Sequence, residues 1–184
     1  MLYFEVLLIQ NKNRYSVVIK SYFCICAEIL ANGYKWSFKV GTLNDKVFGE
    51  LYNKELLWLR PYEIEIFHTL YPVELNVYTY EDDGSDITQN QRDTFIHFEL
   101  NKKNILDNVE KEIKKYCYEN FQIAELESIK KMVILKCLKI IHTEIGEDRK
   151  LGFIFDSIFD PELGIGVLVI NEKIVEVGVQ DIVL

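Results

Sequence analysis

Apolar and polar positions change period along this chain, and the changes divide it into strands, one long helix and further strands. Residues 1–9 are apolar at nearly every position and read as a buried strand, followed by a polar turn at Asn11, Lys12 and Asn13. Two patterns then compete between Tyr15 and Leu30. Val17, Val18 and Ile19 favour a strand, while Phe23, Ala27 and Leu30 share a helical face that Asn32 and Gly33 would end. A strand followed by a short helix is expected there. Residues 36–40 alternate as a strand, 41–45 read as a turn, and 47–51 open a meander. Residues 55–60 form the next strand, closed by Pro61. In 63–67, Ile64 and Ile66 share one face against Glu63 and Glu65. From Pro72, Val73, Leu75 and Val77 face inward while Glu74, Asn76 and Tyr78 face outward. Such alternation marks half-buried antiparallel strands joined by short turns.

The period lengthens after the polar stretch EDDGSD (residues 81–86). Thr88 and Gln91 have capping-box spacing: the hydroxyl accepts from the Gln91 N–H while the glutamine reaches back. Phe95, Phe98, Ile105, Val109, Ile113, Tyr116 and Phe121 then form an apolar stripe over residues 89–121, with Asn101 and Asn104 leaving open a break into two helices. Residues 128–138 read as a shorter helix and 140–145 as a strand. Gly146, Glu147 and Asp148 turn the chain back into 150–159. Beyond the Asp160–Pro161 corner, residues 165–170 carry nothing polar on either face, so that strand should be covered on both sides. Asn171 and Glu172 make a hairpin turn into 174–179. The expected fold is α+β, with antiparallel β-meanders packed against one long helical segment in a single domain over 1–184.

Charge narrows the choice of partners. The chain has 184 residues, a net charge of -8 and a pI near 5.0. Nucleic acid requires a positive footprint, yet Lys102, Lys103, Lys111, Lys114 and Lys115 alternate with acids along a helix face. Neither nucleic acid nor an anionic membrane is expected as a partner. The apolar start is interrupted by Glu5 and lacks the basic region of a signal peptide, which leaves the cytoplasm as the expected location. Cys24, Cys26, Cys117 and Cys137 sit among apolar residues without zinc-ligand spacing and should be reduced and buried.

Two blocks resemble a widespread, functionally uncharacterised bacterial domain family. Its C-terminal signature, W-D-x-E-H-G-x-G followed by a hairpin and V-x-V-G-x-Q-D, is matched by Phe159, Asp160, Glu162, Leu163, Gly164 and Gly166, then Val175, Val177, Gly178, Gln180 and Asp181. The second block is Phe48–Leu51 (Phe-Gly-Glu-Leu), Trp58, Ile87, Thr88 and Gln91. Together they cover 45–184 and leave 1–44 outside as an N-terminal extension. The family's tryptophan is Phe159 here and its histidine is Leu163. Those replacements suit a structural corner in which Asp160 and Glu162 cap backbone amides and the glycines permit positive φ or a bulge. The resemblance implies an immunity or adaptor role, with a toxin encoded nearby as one form of partner.

Catalytic templates are missing from the residues. His68, His97 and His142 have no ligand spacing, and neither a nucleophile elbow, a P-loop nor a dinucleotide fingerprint occurs. Read as a calcium loop, the EDDGSD stretch would put Thr79 first and Asn90 last among the ligands, which fails. No cofactor or resident metal is expected. The favoured reading is a non-enzymatic protein that binds another protein through an acidic, aromatic-rich surface, with Tyr78, Tyr80 and Tyr118 as anchors. The rival is a small metal-dependent hydrolase in which Asp156, Asp160, Glu162 and Asp181 meet at one end of the C-terminal sheet.

Overall fold

The computed structural model describes residues 7–11, 14–18, 41–54, 56–80 and 87–183. The chain divides into two compact units, Met1–Lys39 and Val40–Leu184. In the first, β1 (Leu7–Asn11) and β2 (Arg14–Val18) form an antiparallel hairpin. The helix expected before Asn32, the strand expected at 36–40, and Cys24 and Cys26 lie outside the described residues.

The second unit is an α+β structure built on one eight-stranded sheet. Its elements are β3 (Thr42–Asp45), β4 (Gly49–Lys54), β5 (Leu57–Ile66), β6 (Thr69–Tyr78), α1 (Gln89–Phe121), α2 (Leu126–Met132), β7 (Val133–Ile140), β8 (Lys150–Ser157), β9 (Ile165–Ile170), β10 (Lys173–Gly178) and a closing 3-10 turn, η1 (Gln180–Val183). Strands follow spatially in chain order from β3 to β10, and every neighbouring pair is antiparallel except β6 and β7. That one parallel pair joins the two expected meanders into a single sheet. Parallel neighbours need a long crossover, and α1 with α2 supplies it.

The capping box forms as its residues require. Gln91 N–H donates to Thr88 Oγ1 and Thr88 N–H to Gln91 Oε1, each at 3.0 Å. The helix then runs unbroken for 33 residues. Asn101 and Asn108 donate back along it to the carbonyls of His97 and Asn104, so the asparagines bond within the helix instead of ending it. Phe95, Phe98, Ile105, Val109 and Ile113 are buried against sheet residues such as Leu75, Leu138 and Phe153. This apolar burial is the main driving term for docking helix to sheet.

Polar contacts fix where the helix lies. Gln91, fully buried, donates to the Tyr78 carbonyl at 2.7 Å, and Asn90 donates to Thr143 Oγ1 at 2.8 Å. Arg92 and Asp45 pair at 2.7 Å, tying the β3–β4 hairpin to the first turns of α1. Farther along, Glu110 accepts from the Phe67 N–H at 3.0 Å. Phe67 and His68 form the β5–β6 turn with φ of 52° and 56°, left-handed values unusual for such residues. Burial of the Phe67 ring and the Glu110 bond hold that turn in place.

Three expectations are corrected. The expected turn at 41–45 is largely strand β3, because Asp45 bends the chain one step later: its carboxylate accepts from the Val47 and Phe48 amides at 2.8 and 3.1 Å. Pro61 does not end a strand; it lies within β5 opposite Glu74. β4 pairs with β5 only through Leu59, so the missing proline N–H faces an unpaired edge. The helix expected over 128–138 stops at Met132, and β7 takes over from Val133 to Ile140, ending where the next strand was expected to begin. In β7, Val133 and Leu135 are buried while Ile134 and Lys136 are exposed, a period of two between β6 and β8.

Candidate functional site

The C-terminal signature folds into a self-bonded corner. Asp160 Oδ1 accepts from the Leu163 N–H at 3.0 Å, and its carbonyl accepts from the Gly164 N–H at 2.8 Å. Gln180 closes the corner from the other side, donating its N–H to the Leu163 carbonyl and its side-chain amide to the Glu162 carbonyl. Gly164 has φ of 56°, and a Cβ there would stand 2.4 Å from the Phe155 carbonyl oxygen. At Gly166 a Cβ would meet the Gln180 backbone at 3.0 Å, and at Gly152 it would meet Val183 at 2.6 Å. These glycines therefore let η1 lie directly on β8 and β9, and Gly178 brings the chain into that turn. Phe159 stacks on Phe121 of α1, with ring centres 4.1 Å apart.

Of the acids in this region, Asp160 and Asp156 have local partners for their side chains. Glu162, expected to cap an amide with its carboxylate, accepts from the Gln180 side chain through its backbone carbonyl instead. Asp160 caps its turn, Asp156 pairs with Lys136 at 3.1 Å, and the side chains of Glu162 and Asp181 are exposed. Among the described residues no three His, Cys, Asp or Glu side chains are grouped to hold a metal ion. Cys117 and Cys137 are buried free thiols, pushed up by burial to about 11 and about 12. His68 lies in the β5–β6 turn and His97 stands 4.0 Å from Glu172.

The third histidine belongs to an aromatic cluster at the end of the parallel pair. Alternation along β6 turns Asn76 and Tyr78 away from α1. The Tyr78 and Tyr80 rings meet edge to face at 5.6 Å, and Tyr80 meets His142 at 4.5 Å. Both spacings suit favourable ring contacts. Behind them Lys139 of β7 is 8% exposed and rests its ammonium 5.1 Å from the Tyr78 ring centre. Burial holds this lysine below its ordinary pKa. Asn76, its neighbour across the parallel ladder, has a buried Oδ1 without a hydrogen-bond donor among the described residues.

Tyr80 is 62% exposed, so the cluster supports an aromatic ring that projects from the molecule. Tyr118 is also exposed, but it lies toward the far end of α1, about 40 Å along the helix from Gln91 at about 1.5 Å per residue. The sequence-based trio is thus a pair and a separate residue. Lys139 and His142 were not legible as companions of the tyrosines, because the sequence does not show that β7 runs parallel beside β6.

A groove of about 620 Å³ also runs between α1 and the edge strand β10. Its acids include Glu112, which lies 3.9 Å from Lys115, and Glu172, which pairs with Arg149 at 2.9 Å. Among the described residues no helix is long and apolar enough to cross a membrane. A family model described as a domain of unknown function (DUF6985) matches residues 47–184, and no curated protein or solved structure matches the chain.

Proposed function

The chain belongs to the DUF6985 family, and on that premise we propose that it works by binding another protein, with Tyr80 as the anchor. The observation that carries this reading is the exposed Tyr80 ring braced by Tyr78 and His142. A tyrosine has few rotors to immobilise, and a braced one has lost part of that freedom before binding. Glu81, Asp82, Asp83 and Asp86 follow it directly in sequence, on a chain of net charge -8. Acids around an aromatic anchor steer a basic partner and disfavour acidic competitors. The fitting role is that of a bacterial cytoplasmic immunity protein that covers the working surface of a toxin encoded beside it.

Co-expression with the product of a neighbouring toxin-like gene tests the proposal. The expected result is a complex that survives purification and a host that survives the toxin, with Tyr80→Ala weakening the complex about tenfold or more. A toxin that neither co-purifies nor loses toxicity would overturn it.

A further inference from the structure

Arg60 has an environment unlike that of the other arginines in the second unit. Arg92 pairs with Asp45 at 2.7 Å and Arg149 with Glu172 at 2.9 Å. Among the described residues Arg60 has no carboxylate partner and its buried Nε has no acceptor. It lies on the α1 side of β5, its guanidinium carbon 5.5 Å from the ring centres of both Tyr62 and Phe95. Lys102 reaches the same tyrosine from α1, with its ammonium 4.4 Å from the ring centre and 2.6 Å from the phenol oxygen.

We propose that Arg60, with Lys102 beside it, is a binding site for an oxyanion, the carboxylate or phosphate group of a ligand. Contacts with aromatic rings engage the charge of a guanidinium but provide no conventional acceptors for its five N–H donors. Those donors form a rigid fork matched to two oxygens of one anion. The aromatic contacts also restrain a side chain that would otherwise lose much rotamer freedom on binding. Gly49 leaves the neighbouring position bare: a Cβ there would stand 3.8 Å from Arg60 Nη1, and the φ of 75° favours glycine. Among the described residues Glu99 is the carboxylate bonded to Tyr62, which sets Arg60 and Lys102 against one anion around the ring. This site is separate from the Tyr80 cluster, and its outcome leaves the protein-binding proposal untouched.

The test follows the Arg60 Nε–H resonance of the full-length protein by NMR during titration with sodium phosphate and, separately, sodium acetate. Chloride keeps the ionic strength constant so that screening does not change. A saturable shift with phosphate alone assigns the site to phosphate groups, and one with acetate identifies carboxylates as ligands. Arg60→Lys, which keeps the charge and loses the fork, should weaken the binding about tenfold or more. That comparison uses the Tyr62 and Phe95 ring resonances in both proteins. Absence of a saturable Arg60 shift with either anion would overturn the proposal, as would unchanged affinity in folded Arg60→Lys.

Discussion

Asp45 shows how one side chain can set a turn and dock an element. It accepts from two backbone amides of its own turn and from Arg92 of α1. Burial alone would raise its pKa, but the Arg92 contact and the amides of Val47 and Phe48 outweigh that and hold it below the ordinary range of an aspartate. A carboxylate depressed in the folded state contributes stability above its unfolded pKa and loses it as pH falls through the folded value. Asp45→Asn should therefore cost about 2–3 kcal/mol at pH 7, toward the lower end for a broken buried pair because Arg92 is 20% exposed. The deficit should begin to shrink as pH falls below about 4, where the unfolded chain's carboxyl takes up its proton while the folded one, held lower, stays ionised, and it should be lost below the folded value. Urea unfolding of both proteins at pH 7 and pH 3 measures it, and an equal deficit at the two values would contradict the assignment. Gly164 has a different origin: its left-handed φ and the Phe155 carbonyl beside it leave no room for a side chain.

Among the elements, legibility followed how far one period prevailed. The capping box and the stripe from Phe95 to Ile113 fixed α1 from sequence, as did Asn171 and Glu172 for the last hairpin, where both adopt left-handed φ. The α2–β7 boundary was obscured because 128–138 carries apolar residues at helical spacing as well as alternation, and adjacent strands decide in favour of the latter. Pro61 misled because a sequence does not show where β4 stops pairing. The candidate site was half legible for the same reason: alternation placed Tyr78 outward, whereas Lys139 depended on recognising β7. Strand geometry at β7 can be checked with two substitutions. Ile134→Lys, at an exposed position, should alter stability by less than about 0.5 kcal/mol, whereas Leu135→Lys should prevent stable folding by burying an unpaired charge. Thermal melts of the two variants should therefore differ sharply, and similar melts would contradict a strand with that inward face.

At the scale of the whole molecule, the unit Val40–Leu184 contains all eight strands of the large sheet, α1 and α2, and the full 47–184 family match. Its core cluster runs from Phe48 to Val169 and draws on α1, α2 and strands from β4 to β9. The buried polar groups that orient the helix, Gln91, Asn90, Thr143 and Asp45, find their described partners within this unit. A chain of this size can bury about two-thirds of the surface exposed by its unfolded form, enough for an independent core. Residues 41–184 should consequently fold without the preceding segment. Their urea transition should be cooperative, with near-ultraviolet circular dichroism and intrinsic fluorescence changing together. A fragment that kept its secondary structure but lost near-ultraviolet signal and bound a hydrophobic dye would instead show that its packing requires the first forty residues. The fragment also provides a functional comparison, since it retains Tyr78, Tyr80, His142 and Lys139. If those residues supply the anchoring surface, the folded fragment should capture the same partner as the full chain within about threefold in affinity, less than 1 kcal/mol.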